Sequence, residues 1–554
     1  MRVVDERPAT RAREMVFSGW GDPARRPGLP QHAQDFLRAE LGGIAERPNV
    51  PVKLEQARVS ASALDAGARE SLAAIVGAGH VRDDLRARVL HAAGKSYPDL
   101  VRQRAGDCDP APDAVVAPGS HDQVSALLAA CAQARIAVVP FGGGTSVVGG
   151  VEPLRGSCEA VIAMDLGRMD RLVAVDLRSL VIVAEAGLRG PELEQLLAGH
   201  GLTLGHVPQS FEYASLGGYV ATRSAGQAST GYGRIDELVC GVRLAAPAGE
   251  LVLPPLPPSA AGPQLRQLVI GSEGALGVIT AVALSVRPRP PDDRWEGWSF
   301  GSFEEGAEAL CVLSQEHTAP DVARVSDEEE TRLSFALAGD GDWKLRTGRA
   351  YLRARGHAQG CLAIFAWHGE RAEIARRRAR AVPLLRRCGG VALGQGPGRA
   401  WARQRFAGPY LRDELLDRGV LVETLETATL WSRLPALHDS VAAALRGALV
   451  HDGSDALVMC HVSHLYEEGA SLYFTFMTRE REGAQLEQWR EAKYAACDAI
   501  VAGGGTITHH HAIGRDHLPW LRDEVGERGV GLLRAAKAEL DPEGIMNPEK
   551  LVPS

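Results

Sequence analysis

PFGGGTSVVGG, residues 140–150, decides how the rest of the chain is read. It follows an apolar, β-branched run at 136–139 that is itself preceded by a helical pattern, so Gly142, Gly143 and Gly144 are expected to turn the chain out of a buried strand. Lacking Cβ atoms, consecutive glycines reach left-handed backbone conformations, and several amide N–H groups can then converge on an anion such as a pyrophosphate. Thr145 and Ser146 add hydroxyl donors. A tight structural turn accounts for the same glycines equally well. The spacing departs from G-x-G-x-x-G and lacks the G-K-[ST] ending, which disfavours a Rossmann or P-loop site.

Upstream, residues 114–118 read as a short strand, and Ser120 with Gln123 reads as a capping box. Val124, Leu127, Leu128 and Cys131 then recur at the spacing of an apolar helix face, which predicts a βαβ unit with its two strands paired in parallel. Downstream, apolar runs at 160–166, 172–175, 180–185 and 269–286 read as further strands, and Pro288, Pro290 and Pro291 mark a boundary near 290. The first hundred residues are charged, proline-broken and without a strand run, so a helical extension is expected over 1–107. Alternating helical and strand-like stretches make 291–500 an α+β domain with one sheet covered by helices. Residues 108–290 form the domain of the glycine turn, and 501–554 hold a glycine run, three histidines and a terminal helix.

The 554 residues allow two to four domains, and the 45% hydrophobic share is that of a soluble globular protein. A net charge of -8, from 61 basic and 69 acidic residues intermixed, predicts no nucleic-acid partner. Nine cysteines without a C-x-x-C pair read as reduced core residues. No run reaches the roughly 18 apolar residues of a membrane span, residues near the start lack a signal-peptide core, and KLVPS is not a peroxisomal address. A cytoplasmic protein is the expectation.

A second glycine-rich stretch, VPQSFEYASLGGYVATRSAGQASTGYG at 207–233, is long and polar yet studded with aromatics, which points to an ordered ligand-lining loop. Together with PFGGGTSVVGG and GSEGALGVIT at 271–280, in this order and at these separations, it resembles the FAD-binding domain of vanillyl-alcohol oxidase type flavoproteins. The implied fold is α+β, with a two-subdomain FAD-binding domain, an α+β cap that takes the substrate, and the N-terminal helical extension. The resemblance assigns Gly142, Gly143, Gly144, Thr145 and Ser146 to the FAD pyrophosphate. It assigns Gln209, Ser210, Ser215, Thr222, Ser224, Glu273, Gly277, Val278 and Ile279 to the remaining wall. No histidine stands in the first turn, so non-covalent FAD is implied.

Within that superfamily the chain resembles the alkylglycerone-phosphate synthase family, through FSGWGDP at 17–23, GKSYPDLVRQRAGD at 94–107, THHHAIGRDH at 508–517 and DPEGIMNPEKL at 541–551. The triple histidine is the most telling segment, because related 2-hydroxy-acid dehydrogenases look more like S-G-E-H-G-I-G there. Read from the residues alone, His509, His510 and His511 admit proton transfer, hydrogen bonding or metal ligation. In an extended segment His509 and His511 share a face, and zinc then lacks a third ligand, so no metal is expected. Tyr473, in SLYFTF, matches the family's active-site tyrosine, although an aromatic in an alternating strand is ordinarily core. Arg324 matches a substrate-side arginine whose guanidinium offers a bidentate fork to phosphate or carboxylate, and Arg412 matches one near the flavin. The chain departs from the family at Gln209, commonly aspartate, at Ala214 and Ser215, at a short 249–266 connection, and at 340–343, which has no counterpart.

The resemblance implies FAD-dependent exchange of the acyl group of acyl-dihydroxyacetone phosphate for the alkyl group of a long-chain fatty alcohol, a step of ether-lipid synthesis. A histidine of 509–511 would remove a C1 proton, flavin N5 would hold C1 as the fatty acid leaves, and the alcohol would attack with help from Tyr473. Peripheral contact with the inner face of a membrane and a homodimer belong to the same expectation. The alternative is an FAD-dependent dehydrogenase or oxidase of a small 2-hydroxy acid.

Overall fold

The computed structural model describes residues 1–10, 14–338, 343–450 and 453–553. Asp340, Gly341 and Asp342, of the stretch without a family counterpart, lie outside them. The run before the glycine turn forms the strand Ile136–Phe141, and the helix His121–Gln133 buries Val124, Leu127, Leu128 and Cys131 against it. Each such fully buried aliphatic contributes about 1.5–3 kcal/mol. The Ser120 hydroxyl accepts from Gln123 N at 3.3 Å, but the Gln123 side chain accepts from Gly119 N, so the capping box is only half formed. The expected pairing of the two flanking strands is also corrected. Ala160–Asp165 inserts between Ala114–Val116 and Ile136–Phe141 and pairs in parallel with both, because its wholly apolar run AVIAM suits the buried centre of the sheet.

A second, antiparallel sheet runs in the order Arg2–Glu6, Leu172–Asp176, Val181–Glu185, Val278–Ser285, Val239–Ala246, Gly249–Leu253. The two sheets and their helices share one hydrophobic core. The strand Arg2–Glu6 overturns the expectation of an N-terminus without strands, as does the short Val81–Arg82. An exposed edge strand needs backbone pairing rather than an apolar pattern, so RVVDE carried no signal. The rest of the N-terminal segment ties the two halves together, with Trp20 N donating to Asp413 at 2.6 Å and the Arg26 guanidinium meeting both Asp413 and Asp417.

Residues from Asp292 onward form a seven-stranded antiparallel sheet, ordered Val391–Gly394, Asp292–Phe300, Cys361–Gly369, Val322–Ser326, Ala456–Leu465, Gly469–Arg479, Val420–Leu430. Period-two alternation gives this sheet two functions. Val458, Cys460 and Val462, and likewise Leu472, Phe474 and Phe476, pack into a core shared with the helices Phe303–Gln315, Arg371–Arg387 and Leu434–Leu449. Their alternates Met459, His461, Tyr473 and Thr475 face a cavity instead. The chain then returns to the first half: Val138 N donates to Ile545 O and Asn547 N donates to Val138 O, so the tail runs beside the strand that feeds the glycine turn.

Candidate functional site

A cavity of about 500 Å³ lies between the glycine turn and the open face of the seven-stranded sheet. Gly142, Gly143, Gly144, Thr145 and Ser146 line it on one side. The glycines are required by close approach: a Cβ on Gly142 would collide with the Ser215 hydroxyl, and one on Gly143 with the Tyr213 carbonyl. Gly144 has φ +64°, the left-handed region. Ser146 Oγ accepts from Gly150 N at 3.0 Å, so part of its function is to shape the turn.

The wall predicted from 207–233 and 271–280 also lines the cavity: Gln209, Ser210, Ser215, Thr222, Ser224, Glu273, Gly277 and Ile279. Several of these side chains are already engaged. Ser215 caps the helix Leu216–Ala221 through Gly218 N, Thr222 Oγ1 donates to Gly218 O, and Ser224 bonds His206. The Glu273 carboxylate accepts from Ile513 N and Gly514 N at 2.9 and 2.7 Å, and burial pushes its pKa up to about 7. Val278 does not line the cavity; it opens the strand Val278–Ser285 with its side chain in the shared core, while its neighbour Ile279 takes the cavity side.

Across the cavity, Glu426, Tyr473 and His461 are register partners on three adjacent strands, so their side chains stand in a row on one face. Glu426 went unnoticed in the sequence, and it organises the histidine run. Its carboxylate accepts from His509 N at 2.6 Å, from His510 N and His511 N at 2.8 Å each, and from Thr508 Oγ1 at 2.8 Å. Burial opposes its charge, but the neighbouring imidazoles, once protonated in acid, and these N–H donors outweigh that and hold it well below the ordinary carboxylate range. The segment is therefore a loop wrapped around a carboxylate rather than the extended strand assumed for side-chain facing. His510 and His511 line the cavity and His509 does not.

Burial lowers the pKa of all three imidazoles against the pull of Glu426, that of His511 to about 3, so they are neutral near pH 7 and able to accept a proton. Tyr473 lies between His461 and His510, with ring centroids 4.9 and 6.0 Å away. Burial pushes its phenol up to about 12. The pair expected to share a face, His509 and His511, is not the one that clusters: ring-nitrogen atoms of His464, His509 and His510 all lie within 4.8 Å of one another.

Arg324 lines the cavity, but its fork is occupied by the protein itself. NH2 donates to Glu330 at 2.6 Å, NH1 meets His461 Nε2 at 2.9 Å, and Glu330 is drawn down to about 2 despite its burial. Arg412 is different. NH1 donates to Lys95 O at 2.7 Å, whereas buried Nε and NH2 have no hydrogen-bond partner. Gln209 Nε2, Gln227 Oε1 and His511 Nδ1, all on cavity-lining residues, are in the same condition. An unpaired buried polar group costs about 1–3 kcal/mol, so this set is that of a site built for a polar ligand. The glycine cradle and the unpaired donors fit FAD. Of the residues missed in the sequence, Glu426 left one signal, a carboxylate inside the strand VLVETLETATL. His461, His464 and Tyr466 left none.

The FAD binding domain family matches residues 112–253, and the family of FAD linked oxidases, C-terminal domain, matches residues 289–551. The chain is 34% identical to the alkyldihydroxyacetonephosphate synthase of Dictyostelium discoideum, over 86% of its own length and 79% of that protein. It is 32% identical to the Trypanosoma brucei brucei enzyme of the same name, over 100% and 94%. A solved alkyldihydroxyacetonephosphate synthase structure superposes with a TM-score of 0.84 at 30% identity, covering 97% of this chain and 99% of the other.

Proposed function

The chain belongs to the alkyldihydroxyacetonephosphate synthase family, and from that premise we propose that it exchanges the acyl group of acyl-dihydroxyacetone phosphate for the alkyl group of a long-chain alcohol with FAD as cofactor. One observation carries the reading: His510, His511, Tyr473 and the glycine cradle line a single cavity. Residues 142–146, the 207–233 loop and Arg412 hold FAD, which when bound supplies an electron sink that is returned unchanged at the end of the cycle.

His510 takes the C1 proton. Its Nδ1 is engaged by His509 at 3.0 Å, which fixes the ring and leaves Nε2 as the nitrogen for substrate. Glu426 holds the loop in place through its four contacts. Tyr473 keeps its proton near neutral pH and acts as a hydrogen-bond donor to the incoming alcohol or the leaving carboxylate, not as a base. Arg412 offers its unpaired donors to the flavin, and Arg324, its fork held by Glu330 and His461, lines the cavity without a free donor pair for the phosphate. Leu333, Leu411, Leu415, Val422, Met459 and Met477 supply apolar lining for the chains. Among the described residues no helix is long and apolar enough to cross a membrane. The reading has the chain work from the cytoplasm and take its lipid substrates by peripheral contact with the inner face of a membrane.

The test is incubation of FAD-loaded protein with acyl-dihydroxyacetone phosphate and hexadecanol. Fatty-acid release matched by ether formation is the expected result. Dye reduction with lactate or glycolate, without ether formation, overturns it in favour of the 2-hydroxy-acid reading.

A further inference from the structure

Behind the histidine loop lies a second cavity whose lining includes Thr429, Tyr466, Glu468, Gly505, Asp523 and Glu524. No residue lines both cavities. The two are joined by hydrogen bonds. Tyr466 OH meets His509 Nε2 at 2.6 Å, and His509 Nδ1 meets His510 Nδ1 at 3.0 Å. His509, its side chain 2% exposed, thus uses both ring nitrogens as a bridge. We propose that His509 and Tyr466 form a proton relay connecting His510 in the reaction cavity to solvent in the second cavity. This rests on the reading of His510 as the base.

One set of tautomers satisfies every contact and leaves His510 Nε2 free to accept. His510 carries its proton on Nδ1 and donates to His509 Nδ1. His509 carries its proton on Nε2 and donates to the Tyr466 oxygen. That oxygen also accepts from Arg234 NH1 at 3.4 Å, so the phenol proton is directed onward. When Nε2 of His510 takes a proton from C1, its Nδ1 proton moves to His509 Nδ1, the His509 Nε2 proton moves to the Tyr466 oxygen, and the phenol proton leaves to water. Each relay residue that loses a proton gains one, the two imidazoles at the opposite ring nitrogen and Tyr466 at the same oxygen; no electrons change hands, and the reverse sequence resets the chain. Burial and the Arg234 cation disfavour a charged His509, so a proton passes through that ring rather than resting on it. Substrate chains exclude water from the reaction cavity, which leaves the relay as the exchange path during turnover. Exposed Glu468, Asp523 and Glu524 sit at its mouth as acceptors.

The experiment uses FAD-loaded holoenzyme and Tyr466→Phe, which keeps the ring and removes the hydroxyl. The expected kcat for fatty-acid release falls about 100-fold, the lower end of the share of a general acid–base step, with KM and the flavin spectrum unchanged. The proton inventory in mixed light and heavy water, curved for the wild type, becomes linear in the variant. Wild-type kcat and a curved inventory in Tyr466→Phe overturn the relay, as does a kcat loss matched by loss of flavin. Histidine-labelled nitrogen NMR of the same holoenzyme reads the chain independently of turnover. His509 protonated on Nε2, with a resonance shifted in Tyr466→Phe, supports it, and His509 protonated on Nδ1 overturns it. A wild type that makes no ether overturns the reaction reading alone, because the NMR result still decides the relay.

Discussion

Glu426→Gln isolates the part of the site that the histidines depend on. Oε1 of Glu426 accepts from Thr508 Oγ1, His510 N and His511 N, and Oε2 accepts from His509 N. A glutamine retains an acceptor for the first three but turns an amide N–H group against His509 N, leaving a buried donor facing a donor. That mismatch costs about 1–3 kcal/mol. The three retained bonds lose their charge assistance, about 1 kcal/mol each. A total of about 4–6 kcal/mol is enough to release the 508–511 loop, and a displacement of about 1 Å at the base costs about 100-fold in rate. Glycines 142–144 and Arg412 make no contact with Glu426 in its hydrogen-bond set, so flavin stays bound. The assay pairs fatty-acid release with the visible flavin spectrum: kcat falls about 100-fold while FAD content is that of the wild type. Wild-type kcat, or a loss of activity that tracks loss of FAD, refutes the reasoning. The pH dependence carries a sign as well. Because the folded-state pKa of Glu426 lies far below its unfolded value of about 4.3, its contribution to stability is full above that value and is lost only as pH falls toward the folded pKa. Wild-type stability therefore declines below about pH 4.3 through this group, and the glutamine variant lacks that component of the decline.

Arg412→Met removes the unpaired donors offered to the cofactor, and its FAD dissociation constant, read by flavin fluorescence, rises at least about 10-fold, since a charge-assisted hydrogen bond is worth about 1.5–3 kcal/mol. Gly143→Ala drives a methyl into the Tyr213 carbonyl, so it destabilises the protein by about 1–3 kcal/mol in denaturant titration and lowers FAD occupancy. Tyr473→Phe lowers kcat about 100-fold or more while leaving the pH profile below pH 10 unchanged in shape, because burial pushes the phenol it replaces up to about 12.

The features legible in the chain were those carried by local chemistry. Gly142, Gly143 and Gly144 mark a turn because of what a missing Cβ permits, and the 136–139 run marks a buried strand by its β-branched residues. The apolar face of the helix His121–Gln133 follows from a 3.6-residue period that needs no partner to be seen. The motif order and the triple histidine were enough to identify the cofactor family and the reaction family.

Features set by pairing between distant segments were not legible. Alternation alone left Tyr473 as readily core as cavity; the register Glu426–Tyr473–His461 puts it on the cavity face, and a one-residue slip would bury it among Phe474 and Phe476. Glu330 is six residues from Arg324 in sequence, yet its capture of the guanidinium depends on where the helix Glu328–Ala338 follows the strand. His464 and Tyr466 gain meaning only because the 509–511 loop folds back onto Glu426. The residues of the histidine run were thus legible in the chain. Their charge state, their facing and their connection to solvent were decided by the tertiary structure, because each depends on buried neighbours dozens to hundreds of residues away, and burial is what shifts an imidazole, a phenol or a carboxylate from its ordinary behaviour.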